Sequence, residues 1–337
     1  MRARGELTCL TPALLGPVPA TLADALAAAG PFPQLESLLG RARRGAGEVA
    51  DGETLLCRLA EPAAAPGAVL ASSLARAPEC YCYRAAPIHL RPDRDRLLVF
   101  AGNEVVPDAD ETRALVADFN RTFAEDGLGL ATAHGGWVLL SDVPPGPALP
   151  ALGAVAGRYL DRVIPAGADY RAWRRLLNEV QMFLHAHPVN AAREARGGLT
   201  VNGLWFWGGD RRPDAPIVLD ATRLHGNDPL LRGLAAASQT TLGALDGSAL
   251  ESLAGESVVL YWPQAEYALL GGDAEGWLAA AQRFETDWAG ALLRLAGTQG
   301  VAIRLVSGNG ADYRLGPGGR WRFWRRRRPL RQSLVVE

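Results

Sequence analysis

The spacing of apolar and polar residues divides the chain into three regions. Residues 1–77 alternate short apolar runs with proline and glycine, and LADALAAAG and LESLLGRARR have helical spacing. Residues 149–337 alternate helical stretches such as YRAWRRLLNEVQMFLHA with the apolar runs APIVLD, ESVVLYW and GVAIRLVS. This alternation predicts a mostly parallel sheet flanked by helices. We therefore expect residues 1–77 and 149–337 to form one α/β core.

The region between them, residues 78–148, has a different pattern. The runs YCYRAAPIHL and RLLVFAG, and later LGLATA and GWVLLS, predict strands on either side of a helix in DADETRALVADFNRTFAED. Acidic residues in the first turn suit the helix dipole, and Leu115, Val116, Phe119 and Phe123 recur at helical spacing. We expect a small inserted α+β module that ends in the proline-rich linker DVPPGPALPALG.

Composition narrows the class of protein. Of the 337 residues, 48% are hydrophobic, and the formal net charge is −1. These values favour a folded globular protein, and the near-neutral charge argues against a dedicated nucleic-acid-binding protein. No apolar run reaches the roughly 18 residues of a membrane span, so we predict a cytoplasmic protein without a membrane partner. The four cysteines, Cys9, Cys57, Cys80 and Cys82, are interpreted as buried thiols rather than metal ligands.

Polar residues concentrate in residues 184–210, LHAHPVNAAREARGGLTVNGLWFWGGD. His185 and His187 lie two positions apart at a helix end, which directs them differently and disfavours a shared metal ion. Asn190, Arg193 and Asn202 suit hydrogen bonds to a hydroxyl, carboxylate or phosphate of a ligand. They equally suit bonds that stabilise their own loop, and the sequence leaves both interpretations open.

An apolar strand with two tryptophans follows these polar residues. Trp205 and Trp207 alternate with Leu204 and Phe206, and the glycines behind them allow a close backbone approach. Parallel α/β sheets bind ligands at the carboxyl ends of their strands, so we expect a ligand site there. The predicted ligand-binding residues are His185, His187, Asn190, Arg193, Asn202 and Trp207.

The same segment resembles two related groups of proteins. HPVN, an arginine, a glycine, and then an asparagine before an apolar strand are similar to a segment of archaeal-type, cofactor-independent phosphoglycerate mutases. NEVQMFLHAHPVN, the tryptophan-bearing strand, DPLLRGLA and the terminal WRFWRR resemble bacterial regulatory proteins of the RpfE type more closely. The likeness covers most of the chain and is weakest in the middle third. It implies an alkaline-phosphatase-like α/β fold with an inserted α+β module.

The resemblance also implies where a mutase would hold two metal ions and its serine nucleophile. Thr11 stands where the first strand of a mutase ends in an aspartate. At the nucleophile position stands Pro66 or Gly67, with Ser72 and Ser73 nearby.

Four further metal-binding positions follow from the resemblance. Glu266 stands for an aspartate and Leu270 for a histidine, while Gly308 and Asn309 replace a later Asp–His pair. A two-metal site needs several anionic or imidazole ligands around ions about 4 Å apart. We therefore predict no metal, no cofactor, no catalytic residues and no phosphoryl transfer by the mutase mechanism.

The C-terminal stretch GRWRFWRRRRPLR is a second candidate for function. Arginines interleaved with aromatics suit phosphate contacts and base stacking. The alternation from Arg320 to Phe323 also fits an edge strand with its aromatic side chains inward. If the protein has a nucleic-acid partner, we expect the contacts to come from Arg325, Arg326, Arg327 and Arg328.

Together these features predict a non-catalytic, mutase-like regulatory protein that binds a small anionic metabolite or a protein partner. Two alternatives stay open. One is a divergent phosphotransferase or hydrolase of the mutase type, which a cluster of carboxylates and histidines in the cleft would favour. The other is a nucleic-acid-associated regulator that uses the C-terminal arginines.

Overall fold

The structure is a computed structural model, and it describes residues 5–75, 77, 79–244, 255–317 and 327–336. Its helices α1–α12 are Ala20–Ala28, Pro33–Arg41, Gly52–Cys57, Pro66–Leu70, Ala109–Thr122, Leu160–Val163, Arg171–His185, Pro188–Ala195, Pro229–Ser238, Gln264–Leu270, Ala274–Arg283 and Gly290–Arg294. Its strands β1–β14 are Glu6–Leu10, Arg43–Val49, Ala60–Glu61, Tyr81–Asp93, Arg96–Phe100, Leu128–Ala133, Gly136–Ser141, Gly203–Asp210, Val218–Leu219, Arg223–His225, Thr241–Gly243, Ser257–Tyr261, Ala302–Val306 and Asn309–Leu315. No helix in this part of the chain is both long and apolar enough to cross a bilayer.

The main sheet has seven strands in the order β11-β10-β12-β1-β13-β14-β2. The first five run parallel to one another, whereas β14 runs antiparallel to both β13 and β2. The sequence prediction of an α/β fold with a mostly parallel sheet flanked by helices is confirmed. The parallel strands end together, so the loops after β1, β10, β12 and β13 meet at one edge of the sheet.

Both faces of the main sheet are covered by helices. Successive side chains of a strand point to opposite faces, and β1 shows this directly. Leu7 and Cys9 belong to an apolar core with α1, α2, α11 and α12, whereas Leu10 belongs to a second core with α3, α4 and α9. All three side chains are almost fully buried. The main sheet is therefore the central layer of a three-layer body.

A second sheet, entirely antiparallel, forms a smaller body. Its strands follow the order β5-β4-β7-β6, and β8 also pairs with β4. The predicted helix is present as α5, and the Asp108 carboxylate accepts hydrogen bonds from the amides of Asp110 and Glu111, each at 2.9 Å. Leu115 and Phe119 of α5 are buried against this sheet, together with residues of α7.

The second body extends beyond the region predicted for the inserted module. Residues 78–148 supply β4–β7 and α5, but the remaining strand, β8, comes from Gly203–Asp210. Helix α7 also packs on this sheet, although its residues were assigned to the main core. Because β8 pairs with β4 over more than 100 positions of sequence, local patterns did not reveal this membership.

One predicted strand of the main sheet is wrong. APIVLD contributes only Val218–Leu219, which pairs antiparallel with β3 in a separate two-stranded sheet. Val218 is exposed, and Pro216 carries no amide for a central ladder. The strand in the main sheet is β10, which begins only four residues later at Arg223.

Candidate functional site

A cavity of about 370 Å³ opens at the edge of the main sheet where its parallel strands end. The loop after β1, the turn after β13 and helix α10 form its walls. The residues that matter for its chemistry are Ala13, Asp51, Arg158, Glu266, Leu270 and Gly308. This cavity therefore occupies the place where parallel α/β sheets bind ligands.

Hydrogen bonds tie together the two loops that form the floor of the cavity. The amide of Thr11 donates to the carbonyl of Val306 at 2.8 Å, and the hydroxyl of Ser307 donates to the carbonyl of Thr11 at 2.8 Å. The side-chain amide of Asn309 donates to the carbonyl of Leu15 at 3.1 Å. Thr11 and Asn309 are both buried. The two residues that the sequence resemblance places at metal-ligand positions hold these loops in place.

Gly308 cannot be replaced by a larger residue without a backbone shift. Its φ is +70°, a left-handed conformation that favours glycine. A Cβ atom built on it would lie 2.0 Å from the carbonyl oxygen of Ala50. An aspartate or histidine that could bind a metal ion at position 308 is therefore sterically excluded in this fold.

Glu266 is the single acidic side chain at the mutase-like ligand positions. It lies in the first turn of α10, half-buried, and its Oε1 accepts a hydrogen bond from the amide of Gly52 at 2.9 Å. Burial raises the pKa of Glu266 to about 8, helped by the negative charges of Asp51, Glu53 and Asp228 and opposed by the Gly52 hydrogen bond. Near neutral pH this carboxyl group is protonated and able to donate a hydrogen bond.

The residues around the cavity do not fit the pair of metal ions that a mutase uses. Leu270 and Gly308 offer no donor atom, and the Thr11 and Asn309 side chains are buried against backbone. Within the described residues, no group of three or more His, Cys, Asp or Glu side chains is arranged to hold a metal ion.

The position of the nucleophile also lacks the chemistry of a mutase. Gly67 packs so closely on β4 that a Cβ atom would lie 2.2 Å from the carbonyl oxygen of Cys82. Ser72 and Ser73 line a different cavity beside α9, and the Ser73 hydroxyl lies 3.3 Å from Nε2 of His134. Neither serine faces the cavity at the edge of the main sheet.

A buried ionic bridge joins the two bodies close to this cavity. Glu53 of α3 accepts hydrogen bonds from Nε of Arg84 in β4 and from the indole nitrogen of Trp207 in β8, both at 2.8 Å. The Arg84 guanidinium also lies 5.1 Å from the centre of the Trp207 ring. Burial raises the pKa of Glu53, which the charge of Arg84 opposes. Trp207, predicted to bind a ligand, here connects the second sheet to the main body.

Asp228 and Tyr267 form a second contact next to the bridge. Asp228 caps α9, where its Oδ1 accepts hydrogen bonds from the amides of Leu230 and Leu231 at 2.7 and 3.1 Å. Its other oxygen accepts a hydrogen bond from the hydroxyl of Tyr267 on α10. Burial and the charge of Asp228 raise the pKa of Tyr267, so the phenol stays protonated.

Two of the predicted ligand-binding residues make hydrogen bonds to backbone. The side chain of Asn190 donates to the carbonyls of Leu184 and Val201 and accepts from the amide of Val201, each at 2.8 Å. Asn202 exchanges two hydrogen bonds with the backbone of Leu90, at 2.6 and 2.9 Å. These bonds are the ones that a loop-stabilising role requires. A ligand-binding role for the two asparagines stays a prediction.

Arg193 is buried and satisfied on all sides. It donates to the carboxylate of Glu111 and to the carbonyl of Leu199, each at 2.6 Å, and to the carbonyl of Glu104 at 2.9 Å. Glu104 and Leu199 line a second cavity, of about 530 Å³, between α10 and the loop after β5. Arg193 thus fixes one wall of this cavity from behind, and its own direct contact with a ligand stays a prediction.

The two histidines of the segment lie in different surroundings. His185 ends α7 and is exposed, whereas His187 is buried and caps α8, where its Nδ1 accepts a hydrogen bond from the amide of Val189 at 3.2 Å. Its Nε2 lies 3.2 Å from a carboxylate oxygen of Asp118. His187, Asn190 and Arg193 thus lie together at the start of α8 and within it. His185 belongs to α7 and is not part of this group.

Part of the C-terminal arginine segment can be located. Arg325 and Arg326 lie outside the described residues, as do the aromatic residues before them. Arg327 is exposed, and the backbone amide of Arg328 donates to the carbonyl of Glu36 at 3.3 Å. The described end of the segment therefore lies against α2.

Sequence reasoning missed several residues around the cavity. Glu53, Arg84 and Asp228 were not singled out, because a lone charged residue in an apolar stretch does not reveal its partner. Two local signals were present: DGETLL and NDPLLRG both place an aspartate at the start of a helix, as Asp51 and Asp228 are found.

The fold and the cavity define a mixed α/β protein with a ligand-sized cavity at the carboxyl edge of its parallel strands. In structure the chain is similar to the PH0037 protein from Pyrococcus horikoshii, with a TM-score of 0.54 and 14% sequence identity over 94% of this chain and 88% of that chain. At this identity the similarity shows the fold alone. A weaker match is the cofactor-independent phosphoglycerate mutase from Thermoplasma acidophilum, with a TM-score of 0.38 and 16% identity over 94% of this chain and 90% of that chain. No family model and no curated protein match the sequence.

Proposed function

We propose that the chain is a non-catalytic, phosphoglycerate-mutase-like protein of the RpfE type, which binds a small anionic metabolite and acts as a cytoplasmic regulator. The observation that carries this proposal is the cavity at the edge of the main sheet. Glu266, Leu270 and Gly308 all line it, and only Glu266 brings a side chain with polar chemistry. The described residues that line the cavity include no set of ligands for two metal ions, which supports binding rather than phosphoryl transfer.

One side chain that lines the cavity carries the charge to bind an anion. Arg158 lines it with an exposed guanidinium, which suits a carboxylate or phosphate. The protonated carboxyl of Glu266 adds a neutral hydrogen-bond donor. Asp51 also lines the cavity, but its two oxygens accept hydrogen bonds from the amide and hydroxyl of Thr54, at 2.9 and 3.0 Å. The ligand that fits is a small molecule with one carboxylate or phosphate group at Arg158.

Calorimetric titration of the full chain tests this proposal. The probes are 3-phosphoglycerate, phosphoenolpyruvate, citrate and inorganic phosphate. We expect at least one organic anion to bind, and Arg158→Ala to weaken it roughly ten- to a hundredfold, the effect of one charge-assisted contact. Glu266→Gln keeps a donor and should retain binding that Glu266→Ala loses.

Arg162→Ala is the matched control, since Arg162 is exposed near Arg158 but does not line the cavity. Equal binding by wild type and Arg158→Ala would reject the cavity as the site. Turnover of a phosphorylated probe would instead favour the divergent phosphotransferase or hydrolase. If Arg193→Ala binds the anion as wild type does but unfolds at a lower urea concentration, the HPVN segment supports the fold rather than the ligand.

A protein partner is the remaining form of the regulatory proposal. It is favoured if none of the anions binds and if cross-linking captures a partner that Arg158→Ala does not affect. The RpfE-type resemblance and the regulatory role both rest on the sequence motifs, and the cavity supports the binding step.

A further inference from the structure

A groove of about 520 Å³ lies between α2 and α12, two of the helices that cover one face of the main sheet. Three arginines from separate segments line it. Arg41 ends α2, Arg294 ends α12, and Arg327 belongs to the C-terminal segment. Arg294 and Arg327 are exposed, and Arg41 is half-buried. The groove is distinct from the cavity at the edge of the parallel strands.

A fourth arginine lies on the same side of the sheet. Arg44 of β2 pairs with Tyr313 of β14, and residues directly opposite each other in an antiparallel pair share a face. Tyr313 is buried in the core covered by α2 and α12. Arg44 is exposed, because β2 is the edge strand of the sheet. It therefore extends the basic surface from the groove along the sheet edge.

These four arginines have no ion-pair partner among the residues that the structure describes. On the opposite face of the same strands, by contrast, Arg304 and Arg314 both contact Asp312, at 2.6 and 3.8 Å. The four guanidiniums on the α2 side therefore contact no carboxylate within the described residues.

Two acidic side chains beside the groove are already engaged. Both carboxylate oxygens of Glu285 accept hydrogen bonds from the amides of Gln34 and Leu35, each at 2.8 Å. Glu36 accepts one from the amide of Leu330 at 3.1 Å. These carboxylates reduce the local charge, but they direct their oxygens at backbone and not at the arginines.

We propose that this groove binds the phosphodiester backbone of a single-stranded nucleic acid through Arg41, Arg44, Arg294 and Arg327. Guanidinium forks match phosphate oxygens, and several of them in a row suit a chain with repeated phosphates. A flexible single strand can enter a recess between two helices that a rigid duplex cannot follow. Because the whole chain has a net charge of −1, binding depends on this local cluster and is sensitive to salt.

Fluorescence anisotropy of a labelled oligonucleotide of about 12 nucleotides, titrated with the full chain, tests the proposal. For four phosphate contacts, the logarithm of the binding constant should fall against the logarithm of salt concentration with a slope of about −3. The variant R41Q/R44Q/R294Q/R327Q should bind at least about a hundredfold more weakly. A duplex of the same length should bind more weakly than the single strand.

The control variant R113Q/R121Q/R162Q/R175Q removes the same charge from exposed arginines outside the groove, each in contact with a carboxylate. It should bind like wild type. Equal losses in both variants would overturn the proposal, as would equal binding of duplex and single strand.

Full displacement of the strand by pyrophosphate at equal phosphate concentration would show that a small phosphate is the ligand. R294E/R327E changes only exposed residues, so it tests the groove even if R41Q/R44Q/R294Q/R327Q is unstable. This outcome is independent of the anion cavity, since none of the three variants changes Arg158 or Glu266.

Discussion

The guanidinium of Arg193 and the carboxylate of Glu111 form a buried ion pair, with 2.6 Å between Nη1 and Oε2, across 82 positions of the sequence. Glu111 also accepts a hydrogen bond from the amide of Asp108, which completes the start of α5. Burial opposes ionisation of Glu111, but bonds from Arg196 and Asp108 and the charge of Arg193 hold its pKa below the ordinary value. The HPVN segment is thereby attached to the helix of the second body.

Removing Arg193 should therefore destabilise the protein strongly. In Arg193→Ala, Glu111 keeps a buried charge and loses its buried partner, and two backbone carbonyls lose their donor. Breaking a buried pair in this way costs about 3–5 kcal/mol. Urea denaturation followed by circular dichroism should show this loss in the free energy of unfolding.

Arg196 provides the matched control for this prediction. It contacts the other oxygen of Glu111, but about half of its side chain is exposed, at 53%. Arg196→Ala should therefore cost only about 0–1 kcal/mol. Equal losses in the two variants would show that burial of Arg193 does not set its contribution.

The bridge between the two bodies gives a second prediction. Trp207→Phe keeps most of the buried apolar area but removes the indole N–H that Glu53 accepts. An unsatisfied buried acceptor costs about 1–3 kcal/mol. Trp262→Phe is the control, because Trp262 is equally buried and its indole nitrogen makes no hydrogen bond in the described part of the chain. Similar losses in urea denaturation for both variants would contradict the proposed importance of the bridge.

The sequence predicted the elements whose signals are local. Helix α5 was located by its first-turn acids and by the apolar spacing of Leu115 and Phe119, and both residues are buried. The strands β4–β7 were located by apolar runs bounded by turn residues. Each of these elements depends on residues within about 15 positions of one another, which is the range that periodicity describes.

Long-range relationships were beyond the sequence. Glu53 and Arg84 are single charged residues in apolar stretches, and nothing local shows that they meet. The same holds for the pairing of β8 with β4. For Asn190 and Arg193 the residue types indicate several hydrogen bonds but do not reveal the partners, which are carbonyls of neighbouring loops and Glu111.

A third prediction concerns the steric exclusion of any side chain at position 308. Gly308→Ala places a methyl group against the carbonyl of Ala50 in addition to straining a positive φ. Gly197→Ala is matched, since Gly197 has a φ of +74° and open space around its Cα. We expect Gly308→Ala to lower the unfolding free energy by about 1–3 kcal/mol more than Gly197→Ala. Thermal and urea denaturation of both variants measure this difference, and equal losses would mean that the cavity floor has room for a side chain.

A fourth prediction follows from the donor set of the cavity. We expect purified protein to hold no stoichiometric manganese or zinc and to show no interconversion of 2- and 3-phosphoglycerate. Leu270 and Gly308 provide no ligating atom, and the side chains of Thr11 and Asn309 are buried against backbone. Elemental analysis that found two tightly bound metal ions per chain would contradict this expectation.

The last prediction uses the raised pKa of Glu266, whose folded value is about 8. In the unfolded chain a glutamate titrates near its ordinary value of about 4.3. Between these two values the folded state holds a proton that the unfolded state has released, so the free energy of unfolding falls as the pH rises. Below this window both states are protonated, and above it both are ionised, so Glu266 contributes no further slope.

Replacing Glu266 by glutamine should therefore flatten the pH dependence of stability. Between about pH 5 and pH 8, wild type should lose up to about 1.4 kcal/mol per pH unit more than Glu266→Gln, whose amide does not titrate. Glu53 also has a raised pKa and gives both proteins a common slope, so the difference between the two curves is the quantity to measure. Urea denaturation at a series of pH values provides it, with Glu125→Gln, an exposed residue outside the cavity, as the control. Parallel curves for wild type and Glu266→Gln would show that the Glu266 carboxyl is ionised at neutral pH, and the neutral donor proposed for the anion site would then have to be abandoned.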